Sequence, residues 1–252
     1  LSATHHAPAQ TLPAPAQARL DQAQRLLGHR FARTDLLAEA LTHRSAALGR
    51  ARAAARRRKT PKSTGAGSNE RLEFVGDRVL GLLIAEWISE RFPDEQEGKL
   101  GLRMAVLVSR DTLAEAADRI GLAELLNLGA NEALAGVNKL ATVLADAMEA
   151  SIGALYFDGG LEAARRFVRA TWQPLMDQQK VPPKDPKNAL QERVTANGGA
   201  APEYKVISSQ GPSHAPHFVI TVTARGLSGT GEGATKRAAE RLAAAELLGK
   251  LK

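Results

Sequence analysis

Residues 69–80 read Asn-Glu-Arg-Leu-Glu-Phe-Val-Gly-Asp-Arg-Val-Leu, and their spacing decides how the first part of the chain is read. Glu70, Glu73 and Asp77 stand at i, i+3 and i+7. At about 100° per residue they share one narrow face of a helix. Leu72, Phe74, Val75, Val79 and Leu80 are their apolar neighbours. A second stretch, residues 144–150, reads Leu-Ala-Asp-Ala-Met-Glu-Ala, with Asp146 and Glu149 at i and i+3. No Lys or Arg lies between residues 140 and 164 to neutralise them. Charged carboxylates in apolar surroundings are costly unless paired. Two such helices facing each other could share a cation, and an all-oxygen donor set suits Mg²⁺ or Mn²⁺ rather than zinc. A cation held there would activate water and stabilise charge on a phosphate under attack. Solvated acidic helix faces produce the same spacing, so spacing alone leaves both readings open.

Outward from these two stretches the pattern stays helical. Leu20, Leu26 and Leu27, then Leu36, Leu37 and Leu41, recur at helical intervals, with Thr34 or Asp35 as a candidate cap. Helices are expected over 70–91, 98–108, 110–119, 139–158 and 160–178, with loops and short turns over 121–136. The chain to residue 160 therefore reads as all-α. Residues 1–17, rich in Ala, Pro, Gln and His, are expected to form a disordered tail, in which His5 and His6 are incidental rather than a metal site. Residues 49–68 interrupt the helices with Arg50, Arg52, Arg56, Arg57, Arg58 and Lys59, then Pro61 and a Gly/Ser-rich run. This basic loop is either a solvated charge run or an extra contact to a polyanion.

The period changes after Pro174, Pro182, Pro183 and Pro186, which mark an expected linker over 174–186. Beyond it, residues 187–196 read as a helix, and 204–208, 218–224 and 227–229 as short strands. Residues 235–248 read as a closing helix with Ala238, Leu242, Ala245 and Leu248 along one side. The order α-β-β-β-α defines a small α+β domain. Between its last strand and last helix, residues 229–237 read Gly-Thr-Gly-Glu-Gly-Ala-Thr-Lys-Arg. This is expected to be a glycine-rich loop presenting backbone N–H groups, a helix N-terminus, Lys236 and Arg237 to a phosphate, although a plain turn before a helix fits as well.

Composition sets limits on function. Of 252 residues, 34 are Lys or Arg and 27 Asp or Glu, and the net charge of +7 favours a polyanionic partner. The excess is concentrated at the C-terminus: residues 17–160 carry 20 basic and 19 acidic side chains, residues 186–252 carry 9 and 5. There is no cysteine, which excludes disulfide scaffolds, Cys-ligated zinc, iron–sulfur clusters and thiol catalysis. The apolar run Val79–Ala85 is far too short to cross a bilayer. No Lys/Arg-then-apolar start resembles a secretory signal, so a soluble cytoplasmic protein with no membrane partner is expected.

At this point the motifs resemble a known family. Asn69–Asp77, NERLEFVGD, is similar to the signature of the ribonuclease III family, with Val75 where the family has Leu and Arg78 where a small residue is frequent. Lys139–Gly160, KLATVLADAMEASIGALYFDGG, resembles its second acidic motif, and Leu41-Thr-His-Arg-Ser45 its early element. The matches run in order over residues 19–250, and the basic loop 49–68 is the main departure, many members being shorter there. Residues 187–192, Pro202-Glu-Tyr204, Gly211-Pro-Ser-His214, Phe218 and the Gly-Thr-Gly-Glu-Gly run together resemble a double-stranded RNA-binding domain.

The resemblance implies an all-α endonuclease domain over 18–160 after the tail 1–17, a terminal helix and Pro-rich linker over 161–185, and an α+β double-stranded RNA-binding domain over 186–252. It implies Mg²⁺, for which Mn²⁺ can substitute, and no organic cofactor. Glu73, Asp77, Asp146 and Glu149 would be the metal ligands. Asp77 and Glu149 would act at the reaction itself, Asp77 as ligand or as orienter of the attacking water. Glu70 and Glu97 would be supporting acids. RNA contacts would come from Gln191, Glu192, His214, Thr235, Lys236 and Arg237, with Lys250 further off, reading A-form shape and 2′-hydroxyls. A homodimer is implied, with Leu72, Phe74, Val75 and Leu80 at or near its interface, although these residues also suit the core of one chain. The activity implied is cleavage of double-stranded RNA to 5′-phosphate and 3′-hydroxyl ends with short 3′ overhangs, on ribosomal RNA precursors and structured messenger RNA. Two other classes compete with it. A non-cleaving duplex-RNA-binding protein is disfavoured by the intact Glu73, Asp77, Asp146 and Glu149. A DNA-directed nuclease is disfavoured by the A-form-reading domain.

Overall fold

α1 (Ala14–Leu27) and α2 (Thr34–Ala40) lead the chain. The structure, a computed structural model, describes residues 14–49, 67–196, 198–211 and 216–251. Residues 14–17, assigned from the sequence to a disordered tail, are instead the first turn of α1. There Gln17 donates to Asp21 one turn on at 2.8 Å, and Leu20, Ala23 and Leu27 bury the inner stripe. Residues 1–13, with His5 and His6, and residues 50–66 of the basic loop lie outside the described residues.

Neither Thr34 nor Asp35 caps α2. The backbone N–H groups of Ala32 and Arg33 donate instead to the carboxylate of Asp158, at 3.2 and 2.8 Å, and His29 Nε2 lies 2.8 Å from the same carboxylate. A partner that distant in sequence leaves no local signal to read.

α3 (Glu70–Arg91), α4 (Glu97–Leu107), α5 (Arg110–Arg119), the short α6 (Ala130–Leu134) and α7 (Ala141–Asp177) complete the first unit, with 3-10 turns at Leu122–Leu125 and Val137–Lys139. α7 is two helices merged across Gly160, whose φ of 70° breaks helical geometry where the sequence places the boundary between 139–158 and 160–178. Leu72, Leu80 and Ile84 of α3 pack in one core with Met148, Ile152, Leu155 and Trp172 of α7. Burying each such side chain contributes about 1.5–3 kcal/mol. This packing separates residues the sequence leaves ambiguous: Leu72 and Leu80 are core, Val75 is partly buried, and Phe74 is 62% exposed.

Residues 41–43, which lead into a helical stretch over 44–49, are tied to two other segments. His43 N–H donates to Asn127 O at 3.0 Å, Asn127 N–H to Leu41 O at 2.7 Å, and Asn69 N–H to Thr42 O at 2.9 Å. The start of α3 is thereby fixed next to the residue 127–129 segment.

Pro174 does not end a helix: α7 runs through it to Asp177, in line with the helix expected over 160–178 and against the start of the linker expected over 174–186. So near the end of a helix a proline removes only one hydrogen bond, and packing holds this end. Trp172, fully buried, donates Nε1–H to Leu107 O at 2.9 Å. Pro186 likewise begins a helix, at a first-turn position where the missing N–H costs nothing, with Asp185 accepting from Lys187 N–H at 2.9 Å as its cap.

The chain divides into two compact units between Val181 and Pro182. The second contains α8 (Pro186–Thr195), β1 (Glu203–Gln210), β2 (His217–Ala224), β3 (Leu227–Gly233) and α9 (Lys236–Lys250). The sheet is antiparallel in the order β1-β2-β3, with a register irregularity between Val206 and Ser208. Two sequence readings are corrected here. Residues 229–233 are strand, not a glycine-rich loop: Gly229, Gly231 and Gly233 pair with Val222, Ile220 and Phe218. A Cβ on Gly229 would lie 2.7 Å from Leu247 N, and one on Gly231 2.8 Å from Leu242 Cβ, so the bare strand lets α9 sit directly on the sheet. The second correction concerns α9. Its buried face is Ala239, Ala243, Ala244 and Leu247, while Leu242 of the expected stripe is 55% exposed. No described helix in either unit is long and apolar enough to cross a membrane.

Candidate functional site

Two glycines bring the acidic helices together. A Cβ on Gly76 of α3 would lie 2.5 Å from the Glu149 carbonyl carbon, and one on Gly153 of α7 would lie 3.0 Å from the Leu72 carbonyl carbon. Each glycine thus receives the backbone of the other helix. Glu73 lies one turn before Gly76, and Glu149 one turn before Gly153, so the close crossing sets their side chains side by side. Glu73, Asp146 and Glu149 each offer a carboxylate oxygen, and these oxygens lie within 4.8 Å of one another. All three residues are half-buried.

The cluster disfavours its own ionisation. Burial, then the negative charges of Asp77, Glu73 and Asp146, push Glu149 up to about 7, with Arg78 opposing. Glu73 is raised by burial, then by Asp146, Glu70 and Asp77. Asp146 is raised by burial, against Arg110, His43 and Arg44. Three oxygen donors that are poorly solvated and mutually repelling suit a small, hard divalent cation, which would replace the missing positive charge.

The other expected acids are placed differently. Asp77 is exposed and pairs with Arg78 at 2.7 Å, whose guanidinium also lies 4.1 Å from the Phe74 ring centroid. It stands outside the three-carboxylate group but is the foremost negative charge acting on Glu149. Glu70 is exposed and accepts from Ser68 Oγ at 2.8 Å. Glu97 is the first residue of α4, exposed and outside the group.

Sequence reasoning missed the basic residues Arg44 and Arg110, which face Asp146 from other elements. Only a search of the flanking sequence of α7 was possible there, and it showed no cation. It also gave His43 no role. Ser45 N–H donates to His43 Nδ1 at 3.3 Å, and Ser45 Oγ lies 2.8 Å from the same nitrogen while accepting Gly129 N–H. Burial, then Arg44, lowers the His43 pKa, against Glu132, Asp146 and Glu70. The Ser45 N–H donation makes Nδ1 the acceptor and leaves the proton to Nε2, and the lowered pKa favours the neutral ring.

In the second unit, Thr235 caps α9, its Oγ1 accepting Ala238 N–H at 3.1 Å. Lys236 and Arg237 follow in the first turn, exposed and without an ion pair among the described residues. Gln191 and Glu192 are exposed on α8, where Glu192 pairs with Lys184. His214 lies outside the described residues. Lys250 stands at the far end of α9, pairing with Glu246 at 2.5 Å and donating to Ser228 O at 2.8 Å. A rise of 1.5 Å per residue separates it from Lys236 by about 20 Å, so the two cannot grip the same phosphate.

Comparison with known proteins agrees with both units. A family model described as Ribonuclease-III-like matches residues 33–175, and one described as Double-stranded RNA binding motif matches residues 186–251. A Bartonella bacilliformis protein named Ribonuclease 3 is 39% identical over 230 residues, covering 91% of this chain and 92% of its own. The Brucella canis protein of the same name is 41% identical over 222 residues, covering 88% and 84%. Among solved structures, the nuclease domain of Campylobacter jejuni ribonuclease III, described for flexibility in a region involved in dimer formation, matches with TM-score 0.51 and 30% identity, covering 61% of this chain and 99% of that one. An all-α unit with a three-carboxylate centre, followed by a double-stranded RNA-binding fold, thus belongs to the ribonuclease III family of endoribonucleases.

Proposed function

We propose that the chain hydrolyses phosphodiester bonds of double-stranded RNA at the Glu73–Asp146–Glu149 centre in a Mg²⁺-dependent reaction, with Mn²⁺ able to substitute. The observation that carries this reading is the meeting of three half-buried carboxylates from two helices, their oxygens within 4.8 Å, with Glu149 pushed up to about 7. Such a set is stable as anions only beside a cation.

Glu73, Asp146 and Glu149 would hold the ion. When bound, it supplies Lewis-acid stabilisation of charge on the phosphate and lowers the pKa of water. Asp77, exposed and the foremost negative charge acting on Glu149, would orient the attacking water or join the ligands. The water oxygen forms a bond to phosphorus while the bond from phosphorus to the 3′-oxygen breaks. The 3′-oxygen leaves with a proton, giving 5′-phosphate and 3′-hydroxyl ends. His43, through Nε2–H when Nδ1 accepts from Ser45, and Arg44 would offer donors and positive charge near Asp146.

A homodimer supplies one centre per strand of the duplex, so that both strands are cut and short 3′ overhangs result. The exposed Phe74 and Phe157, lining a cavity of about 630 Å³ with Leu36 and Val75, are apolar surface suited to a second copy of this chain. Gln191, Glu192, His214, Thr235, Lys236 and Arg237 would hold the duplex by its shape and phosphates. Structured precursors of ribosomal RNA and messenger RNA in the cytoplasm fit a nuclease that reads A-form geometry.

The test is cleavage of a labelled RNA hairpin of about two helical turns, in Mg²⁺ and in EDTA, beside Glu149→Gln. Metal-dependent cutting of both strands that the variant lacks supports the proposal. Tight binding with no cutting in Mg²⁺ or Mn²⁺ would overturn it, and equal cutting of a DNA duplex of the same sequence would overturn the RNA assignment.

A further inference from the structure

Arg103 of α4 is 1% exposed and is the one ionic residue in the buried set of the described residues. Each of its three guanidinium nitrogens donates one hydrogen bond. Nε and Nη2 form a fork onto the Glu95 carboxylate, both at 2.7 Å, and Nη1 donates to the backbone carbonyl of Gln179. Arg103 Cζ lies 3.6 Å from the Phe92 ring centroid. Phe92 and Glu95 belong to the corner between α3 and α4, whereas Gln179 stands two residues beyond the end of α7. One side chain therefore ties that corner to the last residues of the first unit. Past Gln179 the chain loses such support, and Val181 is 75% exposed.

A buried ion pair is poor evidence for stability, since well-packed apolar residues serve that purpose as well or better. What apolar residues cannot do is grip a backbone carbonyl. We propose that Arg103 is a positioning residue, which fixes the point where the chain leaves the nuclease unit and so sets the length of the tether to the RNA-binding unit.

With Gln179 held, the tether is residues 180–184, spanning at most about 17 Å. Without it, the backbone past Asp177 keeps the hydrogen bonds from Gln178 N–H to Pro174 O at 3.3 Å, Gln179 N–H to Met176 O at 3.0 Å and Lys180 N–H to Gln178 O at 2.8 Å, while Leu175 and Met176 before it stay buried. Pro174 has already removed one hydrogen bond, that to the carbonyl of residue 170, from the turn before it. Fraying to Asp177 would lengthen the reach to about 24 Å. The longer tether lowers the effective concentration of the second unit at a duplex engaged by the first.

The chain has no cysteine, so introduced pairs accept spin labels at those positions alone. Labels at Asp118→Cys and Ala245→Cys, both exposed, report across the tether, and labels at Ser89→Cys and Asp118→Cys report within the first unit. Distance distributions are measured by double electron–electron resonance in a large excess of unlabelled chain. Replacing Arg103 and Glu95 together by Met removes the grip without leaving a buried charge. Its distribution across the tether should broaden, with the internal distribution and Tm close to native. Arg103→Lys, which keeps the charge and loses the fork, should broaden it less. A distribution across the tether that stays as in the native protein in both variants, or an internal one that broadens equally, would overturn the proposal.

The kinetic consequence rests on the proposed function. KM for a duplex long enough for both units should rise about twofold with kcat unchanged, from the −3/2 power of tether length. The distance measurement contains no RNA, so failure of the functional reading would leave it intact.

Discussion

Gly76 and Glu149 touch backbone to backbone: a Cβ on the glycine would lie 2.5 Å from the Glu149 carbonyl carbon and closer still to its oxygen. The acidic centre depends on that approach, because Glu73 reaches Asp146 and Glu149 only while α3 and α7 are this close. Gly76→Ala should therefore separate the carboxylates. Overpacking at such a crossing costs about 1–3 kcal/mol. The expected result is a lower Tm for the first unit, at least tenfold slower cleavage, and duplex affinity close to native. Calorimetry beside a single-turnover cleavage assay decides it; native cleavage in a folded Gly76→Ala would show that the crossing does not set the site.

Glu149→Gln should separate catalysis from stability. Without metal, the Glu149 carboxyl is raised from 4.5 to about 7. A carboxyl whose folded pKa is raised favours folding in its protonated form, so its contribution is present at low pH and is lost as pH rises through about 7. In EDTA at pH 8 the variant should melt at or above the native temperature, and the gap should close towards pH 5. Added Mg²⁺ should raise the native Tm more than that of the variant. Melting curves with and without Mg²⁺ test this; a variant less stable than native in EDTA at pH 8 would mean that the carboxylate makes a favourable contact of its own.

How much of this was legible depends on where the deciding partner lies. The spacing of Glu73, Asp77, Asp146 and Glu149 marks two acidic helix faces, but their convergence is set by glycines that each receive the backbone of the other helix. Nothing in the local spacing turns Asp77 outward onto Arg78. Only the start of β3, residues 227–229, shows in the sequence; its continuation to Gly233 escapes an alternation search because the inward positions Gly229 and Gly231 have no side chain to count. α9 is apolar at Ala238, Ala239, Leu242, Ala243, Ala244, Ala245, Leu247 and Leu248, so more than one face fits the helical period, and contact with that bare strand chooses among them. The start of α2 is decided by Asp158, which no window around residue 34 contains.

Asp158 gives the second pH prediction. Its side chain is 3% exposed. Burial alone would raise its pKa, but hydrogen bonds from His29 and the Arg33 and Ala32 N–H groups outweigh it and hold the carboxyl below the usual range. A depressed folded pKa contributes stability that is present above the unfolded value and lost as pH falls through the folded one. Asp158→Asn should cost about 1–3 kcal/mol at pH 7, and the difference from native should shrink steadily in acid below pH 4. Denaturant melts across that range read it directly; a difference independent of pH would assign the contribution to packing rather than to the charge.

The last prediction concerns Lys236 and Arg237. They stand free of ion pairs among the described residues, in the first turn of α9, where the helix dipole adds to their charge. If each neutralises one phosphate, replacing either by Gln should lower the slope of log K against log[salt] by about 1, and both together by about 2. Lys250→Gln should leave that slope near native, because its ammonium is held by Glu246 and by Ser228 O at the opposite end of the helix. Duplex binding by fluorescence anisotropy at several salt concentrations gives all three slopes. An unchanged slope in the double variant would remove the first turn of α9 from the RNA interface, and a fall with Lys250→Gln would move the interface toward the helix C-terminus.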